Sequence, residues 1–167
     1  MVKKILLLGN PKLYEISHLV DKEDINYIKE VLVDLHDTLI NFREKYGAGR
    51  AIAAPQIGVQ KRVLYMNITE PIVFINPTLI FDDDDFIEVL DDCMSFPELL
   101  VKVRRHKRCK VQFKDMNFSD NEMKFEGDLS ELIQHEYDHL DGILATMRAI
   151  DNKSLCLKNQ KSVFKGK

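Results

Sequence analysis

The chain has 167 residues, 45% of them hydrophobic and 31% charged, with a formal net charge of −3. That balance describes one globular domain able to bury a real core, not a disordered chain. It gives no general electrostatic case for binding nucleic acid, and no apolar run is long enough to cross a bilayer. The cysteines Cys93, Cys109 and Cys156 are too few for a disulfide framework, so a cytoplasmic protein is the simpler expectation.

The start, Met1 to Leu8, looks superficially like a signal peptide, but its apolar run stops too soon at Gly9-Asn10-Pro11. It reads as a short first strand or extended segment. Ile25, Ile28, Leu32, Leu35, Leu39 and Phe42 then step by three and four, one apolar stripe along a helix. Asp21 to Asp24 supplies its start, and Gly47 and Gly49 stop it.

Gly49 to Gly58 is a run of small side chains, read as a tight connection or as a place where a second backbone comes close. Arg62–Met66 and Ile72–Ile75 read as strands, the second ended by Asn76-Pro77 and followed by another short strand from Thr78 to Phe81. Asp82 to Asp85 lacks the spaced ligands of a calcium loop and reads as a solvated turn. Val101 and Val103, then Cys109, Val111 and Phe113, alternate with polar residues, as half-buried antiparallel strands do. Cys109 falls on the apolar parity and is expected in the core. Met116 to Asn121 reads as a turn and Met123 to Glu126 as a short strand.

Next comes Gln134-His135-Glu136-Tyr137-Asp138-His139-Leu140. In a helix, His135 and His139 share one face a turn apart and can grip one metal ion. Glu136 then stands beside the open coordination position, where a general base belongs. The bland alternative is a surface helix with two neutral histidines. Leu129, Leu132, Ile133, Leu140 and Ile143 surround the motif with an apolar pattern, which argues for burial. Asp128 or Ser130 is expected to cap this helix, which is expected to run to Leu144 or Ala145. Residues 150–167 read as a loose tail carrying Lys153, Lys158, Lys161, Lys165 and Lys167. A third ligand is needed. His106 sits among Arg104, Arg105, Lys107 and Arg108, a poor place for a cation. Cys93, in an irregular acidic segment before Pro97, is the better candidate.

The chain resembles the peptide deformylases in three ordered motifs: Gly49 to Gln56, Asp91 to Ser95 around Cys93, and His135 to His139. Gly9-Asn10-Pro11 and Ile75-Asn76-Pro77 are weaker echoes, and the resemblance spans nearly the whole chain. It implies an α+β fold in which antiparallel strands wrap a central metal-bearing helix. It implies that Cys93, His135 and His139 bind one divalent ion, Fe²⁺ in this family, with Zn²⁺ or Ni²⁺ able to replace it. Glu136 would act as base and then acid. Gln56 and the Met94 N–H would hold the oxyanion. The implied reaction removes the formyl group from the N-terminal methionine of nascent polypeptides and releases formate. Gly49, Arg50, Ala51 and Ile52 would pair with the substrate backbone, and Glu131 and Leu132 would border the side-chain pocket. The implied partner is an N-formylated nascent chain, with the ribosome a further candidate. A peptidase or a deacylase of altered specificity is the alternative.

Departures accompany the resemblance. Ala51 replaces a usual glycine, Arg50 a usual apolar residue, and Asp91-Asp92 stands where Glu-Gly is usual. Ala51 and Asp91 read as tolerated drift. Glu131 falls where the family has an apolar residue lining the methionine pocket. An ion pair with Arg50 across the pocket mouth would satisfy it, and would narrow or polarise that pocket.

Overall fold

A computed structural model describes residues 1–164. Two antiparallel sheets form it. The larger runs β1 (Ala51–Ala53), β2 (Val63–Asn67), β3 (Pro71–Ile80), β6 (Arg108–Lys114), β7 (Asp120–Glu126) in spatial order. The smaller places β5 (Leu99–His106) between β4 (Phe86–Asp91) and β8 (Leu155–Leu157). Helix α2 (Asp128–Leu140) touches strands of both sheets, while α1 (Ile25–Tyr46) packs over β1 and β2. The α+β architecture around the His135–His139 helix is as the sequence led us to expect.

Helix α1 buries Ile28, Val31, Leu35 and Leu39 against Ile52, Val63 and Ile75, and ends at Gly47 with φ 67°. Helix α2 buries Leu132, Ile133 and Leu140 against Leu64, Phe74, Val111 and Phe125. Cys109 joins that cluster at 4% exposure, as its parity implied.

Several boundaries differ from expectation. The start takes the extended form, one of the two expected for it, and it does structural work: the Leu6 N–H donates to the Gln56 carbonyl and the Leu8 N–H to the Ser95 carbonyl. It thus ties together two of the three motif segments. β3 does not end at Asn76-Pro77. Asn76 takes φ 49° and the register shifts there, making a bulge in one long strand. The Asn76 side chain stabilises the bulge by bonding both the N–H and the carbonyl of Val20. Neither Asp128 nor Ser130 caps α2. Gly127 occupies the cap position, and Ser130 Oγ donates to the His106 carbonyl instead. The stretch from residue 150, expected loose, contributes β8, which pairs Leu155 with Val101 and Leu157 with Leu99. Lys165 and Lys167 lie outside the described residues.

Helix α2 also stops earlier than its apolar pattern suggested. Ile143 and Leu144 continue the pattern, but the chain turns at Gly142, with φ 69°. A Cβ there would overlap the Tyr14 carbonyl. We expect Gly142→Ala to destabilise the fold by about 1–3 kcal/mol from backbone strain, with the steric overlap adding to it. A denaturant midpoint unchanged from wild type would contradict this.

Candidate metal centre

The three long-range segments converge. Cys93, His135 and His139 are all buried, and their ligating atoms lie within 4.8 Å of one another. Cys93 Sγ is 3.3 Å from His139 Nε2. The two imidazoles stand on one face of α2 with centroids 5.1 Å apart. His106 is elsewhere, held between the rings of Phe81 and Phe86.

The donor chemistry fits a divalent metal. One thiolate and two imidazoles form a borderline-soft set suited to iron or zinc, and three ligands leave a position open for reaction. Burial works against a charged His135, but the Asp91 carboxylate and the Cys93 sulfur outweigh it and hold the group well above its ordinary range. The same negative neighbours favour a cation. Burial and the charge of His135 push His139 well below its ordinary range, which keeps it the neutral imidazole a metal requires. His139 Nδ1 and Glu136 Oε2 are buried with no hydrogen-bond partner among the described residues.

Around this cluster stand the other expected residues. Glu136 is 4% exposed, and burial pushes its carboxyl up to about 7. Gln56 is fixed by the Ala53 N–H, which donates to its Oε1 at 2.9 Å. That turns its Nε2 toward Ser95 Oγ, at 3.2 Å, and Cys93 Sγ, at 3.6 Å. The Met94 N–H makes no hydrogen bond among the described residues. A cavity of about 330 Å³ opens beside the cluster, bordered by Gly49, Arg50, Ala51, Glu131, Leu132 and Glu136. Ile52 is the exception. Its side chain is fully buried under α1, so only its backbone faces the edge of β1.

The expected Arg50–Glu131 ion pair is present at the outer limit of contact, and Arg50 makes a shorter pair as well. Arg50 Nη1 lies 2.9 Å from Asp128 Oδ2, whereas Nη2 reaches Glu131 Oε2 only at 4.0 Å. Glu131 is partly buried, and burial followed by the Asp91 charge pushes its carboxyl up to about 7.

Sequence reasoning also missed a set of supporting residues. Asp91, read as drift, places Oδ1 2.8 Å from His135 Nδ1, though too bent for a regular hydrogen bond. The guanidinium of Arg105, buried where β5 faces α2, donates to Asp91 Oδ2 at 2.8 Å and also to Asp138. Arg148 completes the line by donating to Asp138 Oδ1 at 2.8 Å. Gln134 holds α2 to the end of β5, accepting from the His106 N–H and donating to its carbonyl. Asp138 lies three residues after His135 on α2, and that spacing was the available clue.

Comparison with known proteins agrees with the geometry. The profile of the polypeptide deformylase family matches residues 2–154. The peptide deformylase of Pseudothermotoga lettingae is 37% identical over 145 residues, covering 86% of this chain and 81% of the relative. The crystal structure of the Thermotoga maritima peptide deformylase superposes with a TM-score of 0.82 at 30% identity, over 90% of this chain and 99% of that one. A Met-Ala-Ser-bound class I type b enzyme from Acinetobacter baumannii superposes with a TM-score of 0.80 at 25% identity, over 89% of this chain and 98% of that one. A buried cysteine sulfur and imidazole pair beside a buried glutamate, on this topology and with these relatives, leaves one assignment: the chain belongs to the polypeptide deformylase family.

Proposed function

We propose that this protein is a single catalytic domain that hydrolyses the N-formyl group from the amino terminus of nascent peptides in the cytoplasm, releasing formate. The observation that carries this reading is the convergence of Cys93, His135 and His139 beside the buried carboxylate of Glu136. The three ligands would hold one divalent ion; the mixed thiolate and imidazole set suits iron or zinc, and the resemblance to the family favours Fe²⁺. When bound, such an ion supplies Lewis-acid polarisation and lowers the pKa of water from about 15.7 toward roughly 7.

The chain's own residues do the rest. Glu136 accepts the proton of the attacking water and returns it to the departing nitrogen. Its buried position raises its basicity toward neutral pH, where such a base works best. Gln56 Nε2 and the unengaged Met94 N–H stand beside Cys93, ready to donate to the oxygen of the former formyl carbonyl as it gains charge. β1 is an edge strand of its sheet and borders the cavity, so an extended peptide can add to it along Gly49 to Ile52. The Acinetobacter baumannii relative is a structure bound to Met-Ala-Ser, which supports a short peptide as the ligand.

The test is formate release from a panel of formyl tripeptides by protein loaded anaerobically with Fe²⁺. Chelation is expected to abolish release, and returning Fe²⁺ to restore it. It should also lower the melting temperature, because a ligand held by the native state alone stabilises that state. Undiminished formate release by metal-free protein would refute the reading.

A further inference from the structure

The segment that joins α1 to β1 has no regular structure, yet it borders the cavity from Gly47 to Ala51. β1 itself is three residues long and pairs on one side only, with β2. A short strand paired on one side opens at low cost unless something holds its ends. One side chain holds this end. Arg43, in the last turn of α1, donates from Nε to the Gly49 carbonyl at 2.9 Å and from Nη2 to the Asn67 carbonyl. Both bonds go to backbone, and no carboxylate among the described residues pairs with this guanidinium. Between the two anchor points the Asn67 N–H donates to the Arg50 carbonyl at 2.8 Å. Gly49 takes φ 126°, and a Cβ there would meet Leu39 at 3.3 Å and Phe42 at 3.4 Å, so this backbone lies close against α1, within reach of Arg43.

The register decides which backbone groups β1 offers. Asn67 bonds Arg50, Ala51 stands opposite Met66, and Ile52 stands opposite Tyr65. Bonded and non-bonded pairs alternate along an antiparallel ladder, so Arg50 and Ile52 face β2 and Ala51 turns its N–H and carbonyl to the open edge. Ala51 is therefore where an added peptide strand exchanges backbone hydrogen bonds. The direction of its two groups depends on the residues on either side. Ile52 is locked in the core under α1, and Arg50 is held between the two carbonyls that Arg43 grips. An arginine near a helix C-terminus also complements the helix dipole, but that role needs no bond to the strand.

We propose that Arg43 is a positioning residue for substrate binding: by bridging the Gly49 and Asn67 carbonyls it holds the start of β1 extended, so that Ala51 is ready to pair with the backbone of the bound peptide. The guanidinium suits this task because its planar fork serves two acceptors at once. A strand ordered beforehand loses less freedom when the peptide arrives, and that difference appears as affinity. This rests on the hydrolytic reading of the centre, and the test separates the two.

The test compares formyl-Met-Ala-Ser with formyl-methionine amide, which lacks the downstream backbone, on metal-loaded wild type, Arg43→Met and Arg43→Lys. In Arg43→Met the ratio of kcat/KM for tripeptide over amide is expected to fall by about tenfold, the scale of one or two hydrogen bonds. The loss should sit in KM with kcat nearly unchanged, as for contacts made equally in ground and transition states. Arg43→Lys keeps the charge at the helix end but cannot bridge two carbonyls, so it should recover only part of the ratio; it carries the comparison alone if Arg43→Met does not fold. An arginine that merely supports the fold would lower both substrates alike. That result, an unchanged ratio, or full recovery by lysine would overturn the proposal. Two readouts need no turnover. The Asn67 amide should exchange its hydrogen about tenfold faster in Arg43→Met, and calorimetry should show weaker binding of the product Met-Ala-Ser. Exchange and product affinity equal to wild type would overturn the proposal. Both changes, without formate release from either substrate by wild type, would sink the hydrolytic reading and uphold the role of Arg43.

Discussion

Glu136→Gln is expected to lower kcat for formate release by about 10²–10⁴-fold, the usual contribution of one well-placed general acid–base. The substitution is close to isosteric, so packing around α2 should persist. It removes the proton acceptor and leaves Cys93, His135 and His139 intact. Metal content should therefore stay near one equivalent while turnover collapses. Glu136 can carry this much because it is buried, pushed up to about 7, and has one carboxylate oxygen with no partner among the described residues. A structural glutamate in that position would be hydrogen-bonded on both oxygens. Formate release within about tenfold of wild type by the metal-loaded variant would remove Glu136 from the chemistry.

The reacting residues were more legible in the sequence than their supports, and the reason is periodicity. His135, Glu136 and His139 declare themselves by helical spacing, and Cys93 by falling outside the strand pattern. Asp91 gives no such signal. Its role depends on β4 lying antiparallel to β5 with Asp91 opposite Val101 and Ile87 opposite Arg105. That register decides which carboxylate a buried arginine meets, and local pattern does not encode it. The end of α2 was obscured for a related reason. Leu144 keeps the apolar rhythm of the helix but packs with Leu13, Phe96 and Val103 in a different cluster. β8 was missed because Leu155 and Leu157 are exposed and its place is held by backbone pairing to β5, which needs no apolar alternation.

Arg105→Leu is expected to cost about 3–5 kcal/mol, because breaking a buried ion network strands the remaining charge. Arg105 is 4% exposed and joins two carboxylates that are themselves buried, Asp91 and Asp138. Asp138 keeps Arg148 as a second partner, so the loss falls mainly on Asp91. An unpaired Asp91 can take up a proton or turn away, and either change removes the negative charge beside His135. Metal affinity should then fall by about 10–100-fold, the usual effect of losing a group that supports a ligand. Arg105→Lys separates geometry from charge. A single ammonium retains the charge but lacks the planar fork that bridges two carboxylates, so an intermediate loss is expected. Denaturant melts and metal content measured on the same samples check both parts. If Arg105→Leu lost less than about 1 kcal/mol and retained its metal, the line from Arg148 to His135 would be packing rather than support for the centre.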